Sequence, residues 1–304
     1  MPDLSRIDRG LYWDRSYRVV SGCEKVSPGC AHCWSERETV MRGKNPNEKI
    51  AERYGGGECT TGGEWNGLVR LATDRVLTEP LRVKKPQVWA AWNDLFHKDV
   101  PHGFIVSVFS YIEAAPWHTF LVLTKRPDRM LYHFRGGLSK KFPVLPNLWL
   151  GTTIESPEAM WRLDALVDVP AALRFISFEP LLADPGEVDF KGIGWAIVGG
   201  ESGPGARPIH PDWARSLREQ CLTAQVPFFF KQWGEWSPEK PTGFHKVSQK
   251  RYSHEADIFL PDGARYRSDH PDDYLLPDMV TMWRVGKKAA GRLLDGREWK
   301  EFPK

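Results

Sequence analysis

The stretch Thr119-Phe120-Leu121-Val122-Leu123-Thr124-Lys125-Arg126-Pro127 carries the plainest statement about fold in the chain. Four apolar residues in succession, Phe120 to Leu123, suit a strand covered on both faces, because a half-exposed strand alternates apolar and polar positions. A threonine and two cations leave that strand, and Pro127 stands where a first helical turn tolerates a residue without an N–H. Buried strand, polar exit, helix is therefore the unit. Six further segments rich in β-branched and aromatic residues repeat it: Tyr17 to Gly22, Gln87 to Trp92, Leu148 to Thr153, Leu173 to Phe178, Gly194 to Val198 and Val226 to Phe230. Helical stretches are predicted at Trp34 to Tyr54, Gly103 to Ala114, Pro127 to Phe134, Pro157 to Val167 and Pro211 to Ala224. Alternating strand and helix predicts an α/β chain with a parallel sheet. A complete or partial parallel (β/α) barrel fits better than an open sheet.

The length of 304 residues leaves room for one large domain or two small ones. Residues 1–236 are expected to form the barrel and 237–304 a C-terminal extension packed on it. Gly55 to Pro86 reads as an insertion after the cysteine-bearing helix, forming a lid or an irregular wall. Ser237 to Asp273 lacks periodicity and reads as loops and short strands, and Arg284 to Gly296 as a short basic helix ended by glycine. Its four basic residues suit phosphates, though a solvated helix face is the commoner explanation. An apolar fraction of 41% with 27% charge excludes disorder and fibrous repeats. The longest uncharged apolar stretch, Gly103 to Ile112, falls short of the ~20 residues that span a bilayer. No membrane partner is expected, and Met1 to Arg18 carries Asp3, Arg6, Asp8 and Arg9 in place of a secretory apolar run, so the cytoplasm is the expected compartment. A net charge of +3 is too small to imply nucleic acid by itself. The 14 Trp, 24 Pro and 27 Gly point to many turns around aromatic-lined surfaces.

An odd number of cysteines, five, argues against a disulfide framework and toward metal or redox chemistry. Cys23, Cys30 and Cys33 stand as C-x6-C-x2-C in a loop that Gly22, Pro28 and Gly29 force to turn. Three thiolates with an open fourth position suit an iron-sulfur cluster that keeps one iron free for a small molecule. A structural zinc site is the alternative, with His32 or Cys59 as the fourth ligand. Cys221, beside Leu217 and Leu222 at helical spacing, reads as core.

The residues just after each predicted strand are rich in reactive groups. The exits carry Cys23, then Asn93-Asp94, Thr124-Lys125-Arg126, Ile154-Glu155, Glu179-Pro180, Gly199-Gly200-Glu201-Ser202-Gly203 and Lys231-Gln232-Trp233. In a parallel barrel all of these face one rim, where barrel enzymes hold their sites. Singly each has a bland account: Lys125, Arg126 and Lys231 as solvated charges, Glu155 as a helix cap, the glycine loop as a turn. Recurrence at nearly every strand favours a site.

These same residues carry a resemblance. The run Val20 to Cys33, with Asn93-Asp94-Leu95-Phe96-His97, Val122 to Pro127, Phe178-Glu179-Pro180-Leu181-Leu182, Val198 to Gly203 and Phe230-Lys231-Gln232-Trp233-Gly234, resembles the phage-associated three-cysteine-motif family. That family is regarded as radical-SAM-like, and the similarity runs from about Trp13 to Pro303. It implies a barrel of the radical SAM type, a 4Fe-4S cluster on Cys23, Cys30 and Cys33, and S-adenosylmethionine chelated to the fourth iron. The first gap is a departure, since the common motif is C-x3-C-x2-C with an aromatic where His32 stands. An imidazole there can still pack near adenine.

The implied reaction is reductive cleavage of S-adenosylmethionine by one electron from an external reductant. The resulting 5′-deoxyadenosyl radical abstracts hydrogen from an unactivated carbon, the cofactor supplying the hard chemistry. Gly199, Gly200, Glu201, Ser202 and Glu179 are expected to hold the cofactor. Asn93, Asp94, Lys125, Glu155 and Lys231 are expected to face substrate or complete the cofactor site. Phage occurrence suggests a DNA or nucleotide substrate: an isomerase-type rearrangement in hypermodified DNA, a DNA-repair lyase, or, less directly, a peptide modification. The compartment would then be the host cytoplasm. Trp89, Trp92, Trp117, Trp149 and Trp233 can stack an extruded base, and Lys125, Arg126 and Lys231 can meet phosphates, although most of the tryptophans read as core. The rival from another class is a non-catalytic, zinc-stabilised nucleic-acid-binding protein.

Overall fold

The structure, a computed structural model, describes residues 11–239, 256–259, 265–268 and 279–303. Seven strands stand side by side in chain order: β1 (Arg15–Ser16), β2 (Val88–Ala91), β3 (Thr119–Thr124), β4 (Leu148–Thr153), β5 (Leu173–Phe178), β6 (Trp195–Gly199) and β7 (Phe228–Gln232). Every neighbouring pair is parallel. The sheet curls into a half-barrel without β1 meeting β7, so the architecture is that of a partial (β/α) barrel. Helix α1 (Trp34–Arg42) follows the cysteine loop, while α2 (His102–Glu113), α3 (Pro127–His133), α4 (Trp161–Val167) and α5 (Pro211–Thr223) make the crossovers after β2, β3, β4 and β6. Residues 179–194 join β5 to β6 without a helix.

Period-two alternation sorts the strand side chains onto two faces. Trp89, Phe120, Val122, Leu150, Ile176, Val198 and Phe230 pack beneath the helices with Ile105, Phe109 and Leu217. Val88, Leu121, Phe175, Trp195, Ile197 and Phe229 point the other way, where no helix lies, and pack with Tyr12, Trp149 and Phe302. That concave face is filled by aromatic rings. Gly151 makes room for one of them: a Cβ there would stand 2.5 Å from the Phe175 ring.

The free edge of β7 is not left open. Phe230 N donates to Trp299 O (2.9 Å) and Glu301 N to Phe228 O (3.2 Å), so residues 299–301 run along the edge and blunt it. The Trp195 indole N–H donates to Glu301 O at 2.9 Å, and Phe302 packs edge-on against Trp195 with centroids 4.7 Å apart. A second, antiparallel sheet holds β8 (Trp236–Ser237), β9 (Ala256–Phe259), β10 (Arg265–Ser268) and β11 (Val280–Arg284) in the order β8-β11-β9-β10. Trp236 and Ser237, on either side of the expected start of the extension, thus share one strand.

Some element boundaries differ from expectation. Tyr17 to Gly22 does not form the first sheet strand; β1 lies just before it, and Val20–Ser21 pairs antiparallel with Arg70–Leu71 of the insertion. Tyr17, Val19 and Val20 are apolar because they are buried in the core, and a short buried run looks the same whether or not it joins the sheet. The stretch Trp34 to Tyr54 is two helices, α1 and a turn and a half at Glu48–Arg53. Pro46 bars the residue before it from helical geometry, and the Asn47 side chain caps the restart by accepting from Lys49 N at 3.1 Å. Pro157 opens a 3₁₀ turn ahead of α4. The basic stretch holds only Lys287–Ala290 as helix before a hairpin of Leu293–Leu294 and Arg297–Glu298. Much of Ser237 to Asp273 lies outside the described residues. No helix among the described residues is long and apolar enough to cross a membrane.

Candidate functional site

A cavity of about 560 Å³ opens at the C-terminal ends of the strands, large enough for a drug-sized ligand. Its wall draws on nearly every strand exit singled out in the sequence. Asn93 and Asp94 come from β2, Lys125 and Arg126 from β3, Glu179 from β5, Gly200, Glu201 and Ser202 from β6, and Lys231 from the end of β7. Cys23, Cys30, Cys33 and His32 line the same cavity from the loop. Glu155 and Gly199 stand behind this wall: Glu155 is fully buried and Gly199 packs against the Glu179 side chain.

Five of the charged groups are already paired. Asp94 holds Arg126 in an ion pair and also accepts from the Thr124 hydroxyl (2.7 Å) and Phe96 N (3.0 Å). Lys231 Nζ donates to both oxygens of Glu179, at 2.8 and 2.9 Å. Burial pulls the Lys231 ammonium downward, yet the Glu179 charge holds its pKa above the ordinary range. The ammonium lies over the Tyr12 ring, whose hydroxyl burial pushes up to about 12. Glu201 is gripped by Arg207, whose Nε and Nη2 donate to it at 2.9 and 2.7 Å, and Arg207 Nη2 reaches on to Pro28 O at 2.9 Å. Glu201 therefore ties the β6 loop to the cysteine loop. Asn93 ties too: its side chain accepts from Ser35 Oγ at 2.5 Å and donates to Val20 O at 3.0 Å, and its own φ is +64°.

Other polar groups stay unsatisfied. Lys125 Nζ lies 3.6 Å from Glu155 Oε2 but makes no hydrogen bond, and Glu155 Oε1 is likewise buried without a partner. Arg162 takes the other Glu155 oxygen at 2.7 Å. Burial raises the Glu155 pKa, but Lys125, Ser27 and Arg162 outweigh it, so the carboxyl titrates below its ordinary value. Gly29 of the cysteine loop packs on this pair, a Cβ there lying 3.1 Å from Lys125 Nζ. The indole N–H groups of Trp13 and Trp92, both on the cavity wall, are also buried and unpaired. Such groups are costly to leave unmade, and they mark where a ligand would satisfy the protein.

The thiols share the wall without standing at metal-binding spacing: among the described residues, no set of three or more His, Cys, Asp or Glu side chains is so arranged. Burial pushes the Cys23 thiol up to about 12, with Asp94 adding to the rise and Arg126 opposing it, and burial also raises Cys33. Cys59 is elsewhere, fully buried and directed at Ser21 O (3.6 Å), and Cys221 is core on α5. The sulfur and nitrogen donors that the cysteine loop brings to the cavity are three thiols and one imidazole. Soft thiolates suit iron-sulfur or zinc, so the chemistry of the residues fits a cluster held by Cys23, Cys30 and Cys33. Ligation would draw the loop together.

Several expectations need correction. Arg126 and Lys231 are not open phosphate contacts, because Asp94 and Glu179 occupy them. Of the five tryptophans considered for stacking, only Trp92 lines the cavity. Trp89 is stacked on Phe120 in the core, Trp149 lies in the concave interior, Trp117 donates to Val83 O and Trp233 to Leu293 O, both at 2.8 Å. Tyr12, Trp13, Trp34, Arg37, Trp65, Glu235 and Lys287 line the cavity unforeseen. Arg37 was legible, since it stands three residues after Trp34 on the helix that Cys33 starts, the spacing that shares a helix face. Trp34 opens that helix and Glu235 follows the β7 exit by a few residues, while Tyr12 and Trp13 precede β1, Trp65 lies in the insertion and Lys287 in the extension, where no strand exit marks them.

No curated protein and no solved structure matches the chain. A family model described as protein of unknown function (DUF5131) matches residues 9–303, and the chain belongs to that family.

Proposed function

We propose that the protein is a radical S-adenosylmethionine enzyme of the phage-associated three-cysteine-motif type, acting on a nucleic-acid base. The observation that carries this reading is that Cys23, Cys30 and Cys33 line one cavity at the C-terminal mouth of a partial (β/α) barrel while Cys59 does not. When bound, a 4Fe-4S cluster with S-adenosylmethionine supplies an organic radical at the expense of one electron from an external reductant. The chain's own residues bind, orient and exclude water. His32, Asn93, Gly200, Glu201 and Ser202 border the loop and form the cofactor side, with Glu201 held by Arg207 so that the glycine backbone is fixed in place. Glu179 and Lys231 form a closed pair against Gly199 at the start of the β6 loop, and Lys125 offers an ammonium without a hydrogen bond. Trp13, Trp34 and Trp92 stand edge to face beside the loop, with centroid distances of 5.4 and 5.8 Å. They supply an aromatic wall against which a planar base stacks.

A second reading rests on His32, which lines the same cavity as the three cysteines and completes a Cys₃His zinc set. Iron, sulfide and zinc content of anaerobically reconstituted protein, with EPR of the reduced sample before and after S-adenosylmethionine, separates the two. About four irons per chain and a spectrum altered by S-adenosylmethionine are expected. One tight zinc with no iron uptake overturns the radical mechanism and leaves the zinc-stabilised binding protein.

A further inference from the structure

The basic stretch near the C-terminus has no part in the proposed radical chemistry, yet one of its residues reaches the cavity. Arg284 lies over the Trp236 ring and Arg292 pairs with Glu298, whereas Lys287 lines the cavity wall. Backbone hydrogen bonds hold it there: Val285 N and Gly286 N both donate to Glu235 O, at 3.0 and 2.9 Å, and Glu235 N donates to Glu201 O at 3.1 Å. The Glu235 side chain in turn accepts from Gly203 N at 2.8 Å. On the far side of Gly203 lies the Arg37 guanidinium, so close that a Cβ on Gly203 would stand 2.1 Å from it. Gly203 has φ +99°, which keeps glycine there. The extension, the β6 loop and the helix of Cys33 thus bring Lys287 and Arg37 to one stretch of wall.

Neither cation forms an ion pair among the described residues. Arg37 gives Nη2 to Ser202 O at 3.2 Å and keeps a buried Nε without any partner. The carboxylates within electrostatic reach of Lys287 are Glu179 and Glu235. Glu179 spends both oxygens on Lys231, and Glu235 holds Gly203. The paired cations Arg126 and Lys231 build the wall; Lys287 and Arg37 are left to meet something else. An arginine fork and a lysine on one cavity wall suit an oxyanion with several acceptor oxygens.

We propose that Arg37 and Lys287 form a phosphate subsite of this cavity, which takes the phosphate of a nucleotide, free or within a strand. For the ring of the ligand this rests on the base-directed reading of the same site, but not on the cluster. Calorimetric titration of the full chain, purified without iron, tests it with thymidine 5′-monophosphate, a short single-stranded thymidine oligonucleotide and thymidine. At least one phosphate-bearing ligand is expected to bind ten-fold or more tighter than thymidine, and which one does so identifies the source. Lys287→Met and Arg37→Gln should each weaken that ligand about ten-fold while moving thymidine less than two-fold. Lys288→Met, on the same short helix but off the cavity, should change neither. Equal binding of thymidine and both phosphate ligands, or no binding of any, overturns the proposal, as does an equal loss from Lys288→Met. A loss of S-adenosylmethionine affinity in cluster-loaded Lys287→Met, with nucleotide binding intact, overturns it too. Because the titrations need no iron, their result holds even where cluster reconstitution fails.

Discussion

The two ends of the half-barrel interior are built by opposite rules. Its floor is satisfied: Trp195 meets Phe229 and Phe302 edge to face, and its indole N–H has a carbonyl at 2.9 Å. Its mouth is unsatisfied, with Lys125 Nζ, Glu155 Oε1, Arg37 Nε and two indole N–H groups buried and unmatched, and three thiols on the wall. Native interiors leave few polar groups unpaired. Unmatched atoms occur elsewhere too, on Trp89 in the core and His133 in the helical layer, but at the mouth they share one cavity wall with three thiols, which marks it as the part that waits for a ligand. Changes at the floor should then be read in stability, and changes at the mouth in binding.

The largest effect expected is at the mouth. Cys23→Ala, Cys30→Ala and Cys33→Ala should each abolish iron uptake on reconstitution, while Cys59→Ala retains it in full; the metal-free proteins should unfold within about 1 kcal/mol of wild type, apart from Cys59→Ala, whose side chain is wholly buried. Loss of iron from Cys59→Ala would instead favour a four-thiolate metal. A sharper test is Asp94→Ala, because this mouth residue is predicted to behave like the floor. It removes the close partner of buried Arg126 and leaves only the more distant Glu24 carboxylate at 3.7 Å, so the cost should fall near the low end for unpairing a buried charge, about 3 kcal/mol. Replacing both partners, as Asp94→Leu with Arg126→Met, should recover most of that loss in urea unfolding. If the single variant proves neutral, the pair is not structural and Asp94 rejoins the residues that face substrate.

At the floor, Gly151→Ala drives a methyl into the Phe175 ring and should cost about 1–3 kcal/mol by overpacking, without altering metal uptake. This site also shows where sequence reading stops. The strand beginning at Leu148 was legible from its apolar run, and the rim at its exit from chain order alone, because strand direction fixes which end each polar exit occupies. Nothing in Leu148 to Thr153 says that Gly151 yields to a ring from the neighbouring strand. Which charges are spent was equally invisible: Lys125 and Lys231 look alike as strand exits, yet only Lys231 meets a carboxylate at hydrogen-bonding distance. Pairing depends on neighbouring strands, which spacing along the chain does not encode. Lys287 shows the limit from the other side, since it joins the cavity through a backbone bridge to Glu235 some fifty residues earlier.

A smaller effect belongs to the helical layer outside both ends, and it must be subtracted before floor and mouth are compared at different pH. His133 on α3 stacks on His102, with Nδ1 atoms 3.0 Å apart and centroids 5.3 Å apart. Burial, then the Arg129 and His102 charges, lowers its pKa from 6.5 to about 4. Between those values the unfolded chain binds a proton that the folded chain refuses. The stability this group contributes is therefore complete above pH 6.5 and is lost as pH falls toward 4. His97, His118 and His210, lowered chiefly by burial, push in the same direction, so the wild-type curve alone cannot isolate His133. His133→Gln should lose about 1–2 kcal/mol less than wild type between pH 6.5 and 4.5, the discount from the full shift reflecting solvent screening. Parallel curves for the two proteins would mean that the stacked pair opens on protonation at no cost, and the acid sensitivity would then rest on His97, His118 and His210 and on Glu155, whose carboxyl is held below its ordinary value.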